Sequence, residues 1–158
     1  MSETNGEDIK ATIDYIERRV KNLSRASDKL ENALATIMKL VNDIDIFFNI
    51  EDNEPLYQYE GDNVKVEYRF AIDDGEIAVF RMYWSAWNGG WNDTPSVRKK
   101  KDLDELSMKM LKLAVLRLPK FLMHVADTLE KKEAEYTEVA DIAERMAAVM
   151  NKKGVIPE

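Results

Sequence analysis

Twelve positions in the first third of the chain limit what it can become. Ile9, Ile13, Ile16, Val20, Leu23, Ser27, Leu30, Leu34, Ile37, Val41, Ile44 and Phe48 follow one another at alternating spacings of four and three. That alternation is a heptad seam with one polar position, Ser27. A chain that carries it must form a long helix over residues 6–50, in which the seam from Ile9 to Phe48 is ~60 Å long at ~1.5 Å per residue, and must find an apolar partner for one side of it. Before Ser27 the seam is flanked by Lys10, Thr12, Glu17 and Arg19, so the stripe is narrow and suits a single partner helix. After Ser27 the flanks include Ala33, Met38, Leu40 and Phe47, a wider stripe that suits a globular core. Residues 1–5 are small and polar and are expected to be a disordered tail. Asn5 and Asp8 supply the acceptor and the acid that favour a helix N-terminus. The segment Glu51–Pro55 ends the helix, because proline cannot continue it.

The period then changes from helical to alternating. Val64, Val66, Tyr68, Phe70 and Ile72 alternate with Lys65, Glu67, Arg69 and Ala71, and a second alternating run covers Ile77–Trp84. Asp73-Asp74-Gly75 is the turn between them. Two registers compete. A two-residue loop pairs Ile72 with Ile77 and Tyr68 with Arg81. A three-residue loop pairs Phe70 with Ala78, Tyr68 with Phe80 and Glu67 with Arg81, and this register is preferred because it leaves one consistently apolar face. Asn88-Gly89 is a second hairpin signal, returning Trp91–Arg98 as a short strand, an edge one because it contains Pro95. Tyr57–Glu60 is a candidate fourth strand. The region 56–98 therefore reads as a β-meander of three to four strands.

Helical spacing resumes at Asp102, which with Glu105 has the form of a capping box. Leu103, Leu106, Met110 and Leu113 form its stripe. Pro119 is expected to divide this part into a helix over 102–118 and a long helix over 120–152. The second again steps by three and four through Leu122, Val125, Leu129, Lys132, Tyr136, Val139, Ala143, Met146 and Met150, and closes at Gly154 and Pro157. The expected fold class is α+β in a single domain of 158 residues. Long N- and C-terminal heptad-patterned helices flank the meander, paired as an antiparallel coiled coil or, through Ile9, Ile13, Ile16, Val20 and Leu23, with a second copy in a homodimer.

Chemistry is sparse. The chain has one histidine, His124, and no cysteine. A hydrolytic triad needs a base beside its nucleophile, and His124 lies beside the Leu122/Val125 stripe, where a half-buried packing role is expected. No Cys/His cluster has metal-ligand spacing, and Gly89-Gly90 opens no helix, as a phosphate loop would. The expectation is a non-enzymatic protein with no catalytic residues, metal or cofactor.

The charge is uneven. In a chain of net charge −7, residues 98–120 carry eight basic and three acidic side chains. Acidity overall repels phosphate chains at long range, so nucleic acid is the lesser expectation and a basic protein partner the greater. The concrete form of that reading is a small acidic inhibitor or adaptor of a basic, nucleic-acid-binding protein. The alternative is a binder of single-stranded nucleic acid, with Trp87 and Trp91 stacking bases and Arg98, Lys99, Lys100, Lys101, Lys109 and Lys112 following phosphates. Trp84 lies on the apolar face of the preferred register and is expected in the core.

From Val64 to Leu113 the order of features is two alternating strands, Met82-Tyr83-Trp84, a Gly-Gly-Trp turn, a Thr-Pro and basic run, then a helix. Over this third of the chain the order resembles the transcriptional-coactivator family that binds single-stranded DNA on a curved sheet. The resemblance implies the nucleic-acid alternative; the long acidic helices on either side have no counterpart in that family. No apolar run reaches the ~18–20 residues that span a bilayer, and Met1–Lys10 lacks the basic and apolar regions of a secretory signal. Cytoplasmic location and no membrane partner are the expectations.

Overall fold

The computed structural model describes residues 2–87, 90–91 and 93–153, with the side chains of residues 2–4 and of Trp87 outside the description. The chain divides into two compact units, Met1–Ile46 and Phe47–Glu158. The architecture is α+β, with a long N-terminal helix, an antiparallel sheet and a C-terminal helix.

The first unit is built on α1, Ser2–Asn42. It starts earlier than the expected 6 and ends well before 50, so the expected tail is helical from Ser2. The end is written in Asn42-Asp43-Ile44-Asp45. Asp45 takes φ 57°, a left-handed conformation that aspartate tolerates far better than branched residues do. Ile44 and Phe48 therefore continue the seam in sequence but not in the helix. Ile9, Ile13, Ile16, Val20 and Leu23 stand between 50% and 69% exposed.

Among the described residues the second unit carries six strands: β1 Ile50–Glu51, β2 Tyr57–Glu60, β3 Val64–Asp73, β4 Glu76–Trp87, β5 Gly90–Trp91 and β6 Val97–Lys101. All pairings are antiparallel. β3 and β4 form the centre. β1 and β2 follow one another along the free edge of β3, and β5 and β6 along the free edge of β4. The strand region thus extends beyond the expected 56–98 at both ends, and Lys99, Lys100 and Lys101 are strand residues.

The β3–β4 register is the two-residue one, with Ile72 opposite Ile77, Phe70 opposite Val79 and Tyr68 opposite Arg81. The preferred three-residue register is corrected. Asp74 at φ 51° and Gly75 at φ 80° form the left-handed pair of a two-residue loop, whose twist matches that of the strands. The criterion of one apolar face failed because this sheet is apolar on both. Phe70, Ile72, Ile77 and Val79 share one face; Ala71, Ala78, Phe80, Met82 and Trp84 form a buried cluster on the other. Glu67 faces Met82 rather than Arg81, and its partner is Arg69, 2.6 Å away.

The Asn88-Gly89 turn lies outside the described residues, but the strands it joins pair Trp87 with Gly90 and Ala86 with Trp91. After β6 comes a 3-10 turn, Leu103–Glu105, and then α2, Met108–Lys152. Asp102 makes no side-chain cap hydrogen bond. The cap is Ser107, whose Oγ accepts from the Met110 N–H at 3.3 Å.

α2 runs as one helix through Pro119, so the expected division into 102–118 and 120–152 is corrected. Leu118 and Phe121, on either side of the proline, are buried, while Pro119 itself is exposed. Packing on both sides holds the axis. The missing N–H faces outward, where Val115 and Leu116 are also exposed and water can reach the freed carbonyl. Met110, Ala114, Leu118, Phe121 and Val125 form the buried stripe, and the Phe121 ring stacks on Phe70 with centroids 5.0 Å apart and planes 8° from parallel. This places α2 on the Phe70 face. Beyond Glu130 every described residue of α2 is exposed, and Tyr136, Val139, Ile142, Met146, Val149 and Met150 stand 39–64% exposed. The closing signals Gly154 and Pro157 lie outside the described residues.

Candidate functional site

Side chains alternate faces along a strand, and this divides the basic run. Arg98 pairs with Met82 and Lys100 with Phe80, on the face opposite α2; Lys99 pairs with Arg81 and Lys101 with Val79, on the α2 face. The first two are engaged. The Arg98 guanidinium lies 3.8 Å over the Phe80 ring, a cation–π contact that caps the apolar cluster. Lys100 Nζ is 3.6 Å from both Asp73 and Glu76. The side chains of Lys99, Lys101 and Arg81 make no hydrogen bond or ion pair among the described residues.

Trp91 lies on the Arg98 face, packed against the Ala71/Phe80/Trp84 cluster. Its indole N–H donates to Glu60 Oε1 at 2.8 Å, although β5 and β2 lie on opposite edges of the sheet. The ring therefore spans the sheet. Trp84 is buried, as expected, with the Lys65 ammonium 4.9 Å from its ring centre. The side chain of Trp87 is outside the described residues. On α2, the Lys109 ammonium sits 5.4 Å from the Tyr57 ring centre, and Lys112 is exposed. The aromatic and cationic groups expected to act together are thus distributed over both faces, and the one described candidate tryptophan is bonded to a carboxylate.

One polar site was not foreseen. Asp52 is 2% exposed. Arg117 grips it with Nε to Oδ2 at 3.0 Å and Nη2 to Oδ1 at 2.8 Å. The same guanidinium donates to Asn53 Oδ1 and Glu54 Oε2, and Arg69 donates to the Asp52 carbonyl at 2.6 Å. The hydrogen bond that Arg117 donates to Asp52 is the main cause that raises Arg117 above its ordinary range, against burial, which lowers it. Four acceptors from one loop on one guanidinium tie the β1–β2 connection to α2. The residues are 65 apart, so no local signal announces the pair.

His124 is half-buried, and its Nε2 lies 3.0 Å from the Glu51 carbonyl oxygen. Among the described residues no group of three or more histidine, aspartate or glutamate side chains is placed to hold a metal ion, and no helix is long and apolar enough to cross a membrane. No protein-family model, curated protein or solved structure matches the chain.

Proposed function

We infer that this chain is a non-enzymatic protein-interaction module that associates through its long helices. The observation that carries the reading is the α1 seam, where Ile9, Ile13, Ile16, Val20 and Leu23 are spaced 4, 3, 4, 3 and each stand half exposed or more. Covering an aliphatic side chain of this size is worth ~1.5–3 kcal/mol, and a narrow stripe between charged flanks suits one facing helix. The occupant is a second copy of α1, giving a homodimer. The spacing of the exposed α2 residues supports the same coiled-coil chemistry at the other end of the chain.

The net charge of −7 on the whole chain supports a further partner with a basic surface, which fits an adaptor or inhibitor of a nucleic-acid-binding protein in the cytoplasm. Sedimentation equilibrium tests the association. A dimer that Ile13→Lys with Val20→Lys converts to monomer supports the reading. A wild-type monomer contradicts it and favours antiparallel pairing of α1 with α2 within one chain.

A further inference from the structure

Tyr68, Arg81 and Lys99 stand in one row across β3, β4 and β6, each directly opposite the next. Directly opposed residues share a face, with Cβ atoms ~4.5–5.5 Å apart. Lys101, two residues along β6, points the same way. The row opens at the start of α2, where Glu105, Leu106, Ser107 and Met110 complete a cleft of about 240 Å³.

Two cations directly opposite one another destabilise a sheet. Other cations of the sheet and of α2 are engaged: Lys100 has Asp73 and Glu76, Arg69 has Glu67, Arg117 has Asp52, and Lys65 and Arg98 lie over the Trp84 and Phe80 rings. Arg81, Lys99 and Lys101 make no ion pair among the described residues, although Arg81 and Lys101 are half-buried. Glu105 lines the cleft without reaching ion-pair distance of any of them. The first turn of α2, a helix of 45 residues, holds no acidic side chain, so its N–H groups add positive potential at the same place.

We propose that this cleft binds the phosphate or diphosphate group of a small ligand. Three convergent cations call for an anion of charge −2 or more, which a phosphate ester supplies and a single carboxylate does not. A phosphoryl group fits a cleft of this size, held by Arg81, Lys99 and Lys101. The site is independent of helix association.

The test is calorimetric titration of the full chain with inorganic pyrophosphate, at low and at physiological salt. One saturable site is expected, weakened about tenfold by Lys99→Ala and by Arg81→Gln and unchanged by Lys100→Ala on the opposite face. With no anion present, Lys99→Ala should also melt above the wild type, because it relieves the opposed charges; this readout does not depend on the ligand chosen. Absence of saturable binding, or equal losses in Lys99→Ala and Lys100→Ala, overturns the proposal. Binding of oligothymidylate without binding of pyrophosphate also overturns it and assigns the row to a nucleic-acid backbone.

Discussion

The indole of Trp91 donates to Glu60 across the full width of the sheet, at 2.8 Å. A ring held in this way closes one end of the apolar cluster on the face away from α2. A tryptophan at a tight turn beside four consecutive basic residues has another apparent meaning in the sequence, that of a stacking platform. The hydrogen bond and the alternation of the basic residues between faces give it a structural one.

Glu60→Gln should keep the packing and weaken the bond, for a loss of about 1 kcal/mol or less. Trp91→Ala should cost about 3 kcal/mol, because the cluster loses its lid as well. Urea unfolding followed by circular dichroism measures both. Equal losses in the two variants would mean that the hydrogen bond, not the ring, closes the cluster.

Asp52→Ala should be among the most damaging single changes. It leaves Arg117, 15% exposed at its side chain, without its main partner, and breaking a buried pair from one side typically costs about 3–5 kcal/mol. Replacing both residues with apolar ones should recover part of that loss. The pH dependence has a definite sign. A folded-state value raised above the unfolded one gives stability that is whole below the unfolded value and lost as pH rises through the folded one. Arg117 is raised, so its contribution should be constant through neutral and mildly alkaline pH. Thermal melts of Arg117→Met and wild type across that range should differ by a constant amount.

Pro119→Ala should stabilise the protein. An interior proline costs about 3 kcal/mol in an unprepared helix, and this one sits on the exposed side of α2, where alanine can restore the missing hydrogen bond without a clash. A gain of about 1 kcal/mol or more in urea is expected. A loss would mean that a proline-shaped bend positions Phe121 on Phe70.

Phe121→Ala removes half of the stack that fixes α2 to the sheet. Both Phe121 and Phe70 have zero exposure, and a loss of about 3–5 kcal/mol is expected, again read by denaturant unfolding.

Much of this fold can be read from periodicity, and the exceptions have physical causes. The change from helical to alternating spacing and back separates the helical ends of the chain from the sheet between them, although three helices were expected and α2 is a single one. It places Trp84 in the core and His124 at a half-buried position. The helix ends were harder. Ile44 and Phe48 keep heptad spacing past Asn42, yet Asp45 turns the chain, so a local backbone preference overrode the apolar pattern. At Pro119 the opposite happened: packing of Leu118 and Phe121 overrode a local preference. The hairpin register follows the twist of Asp74-Gly75, and the pattern of apolar faces does not decide it because both faces are apolar. Of the candidate site, strand alternation could have separated Arg98 and Lys100 from Lys99 and Lys101, had the strand been extended beyond 98. The Asp52–Arg117 pair joins distant segments and leaves no local trace.

The central claim is that the seam of α1 is a surface for a second copy. Sedimentation equilibrium of the full chain over a wide concentration range tests it most directly. The account predicts a dimer for the wild type and a folded monomer, with unchanged β content, for Ile13→Lys combined with Val20→Lys. A wild-type chain that sediments as a monomer at every concentration would contradict it.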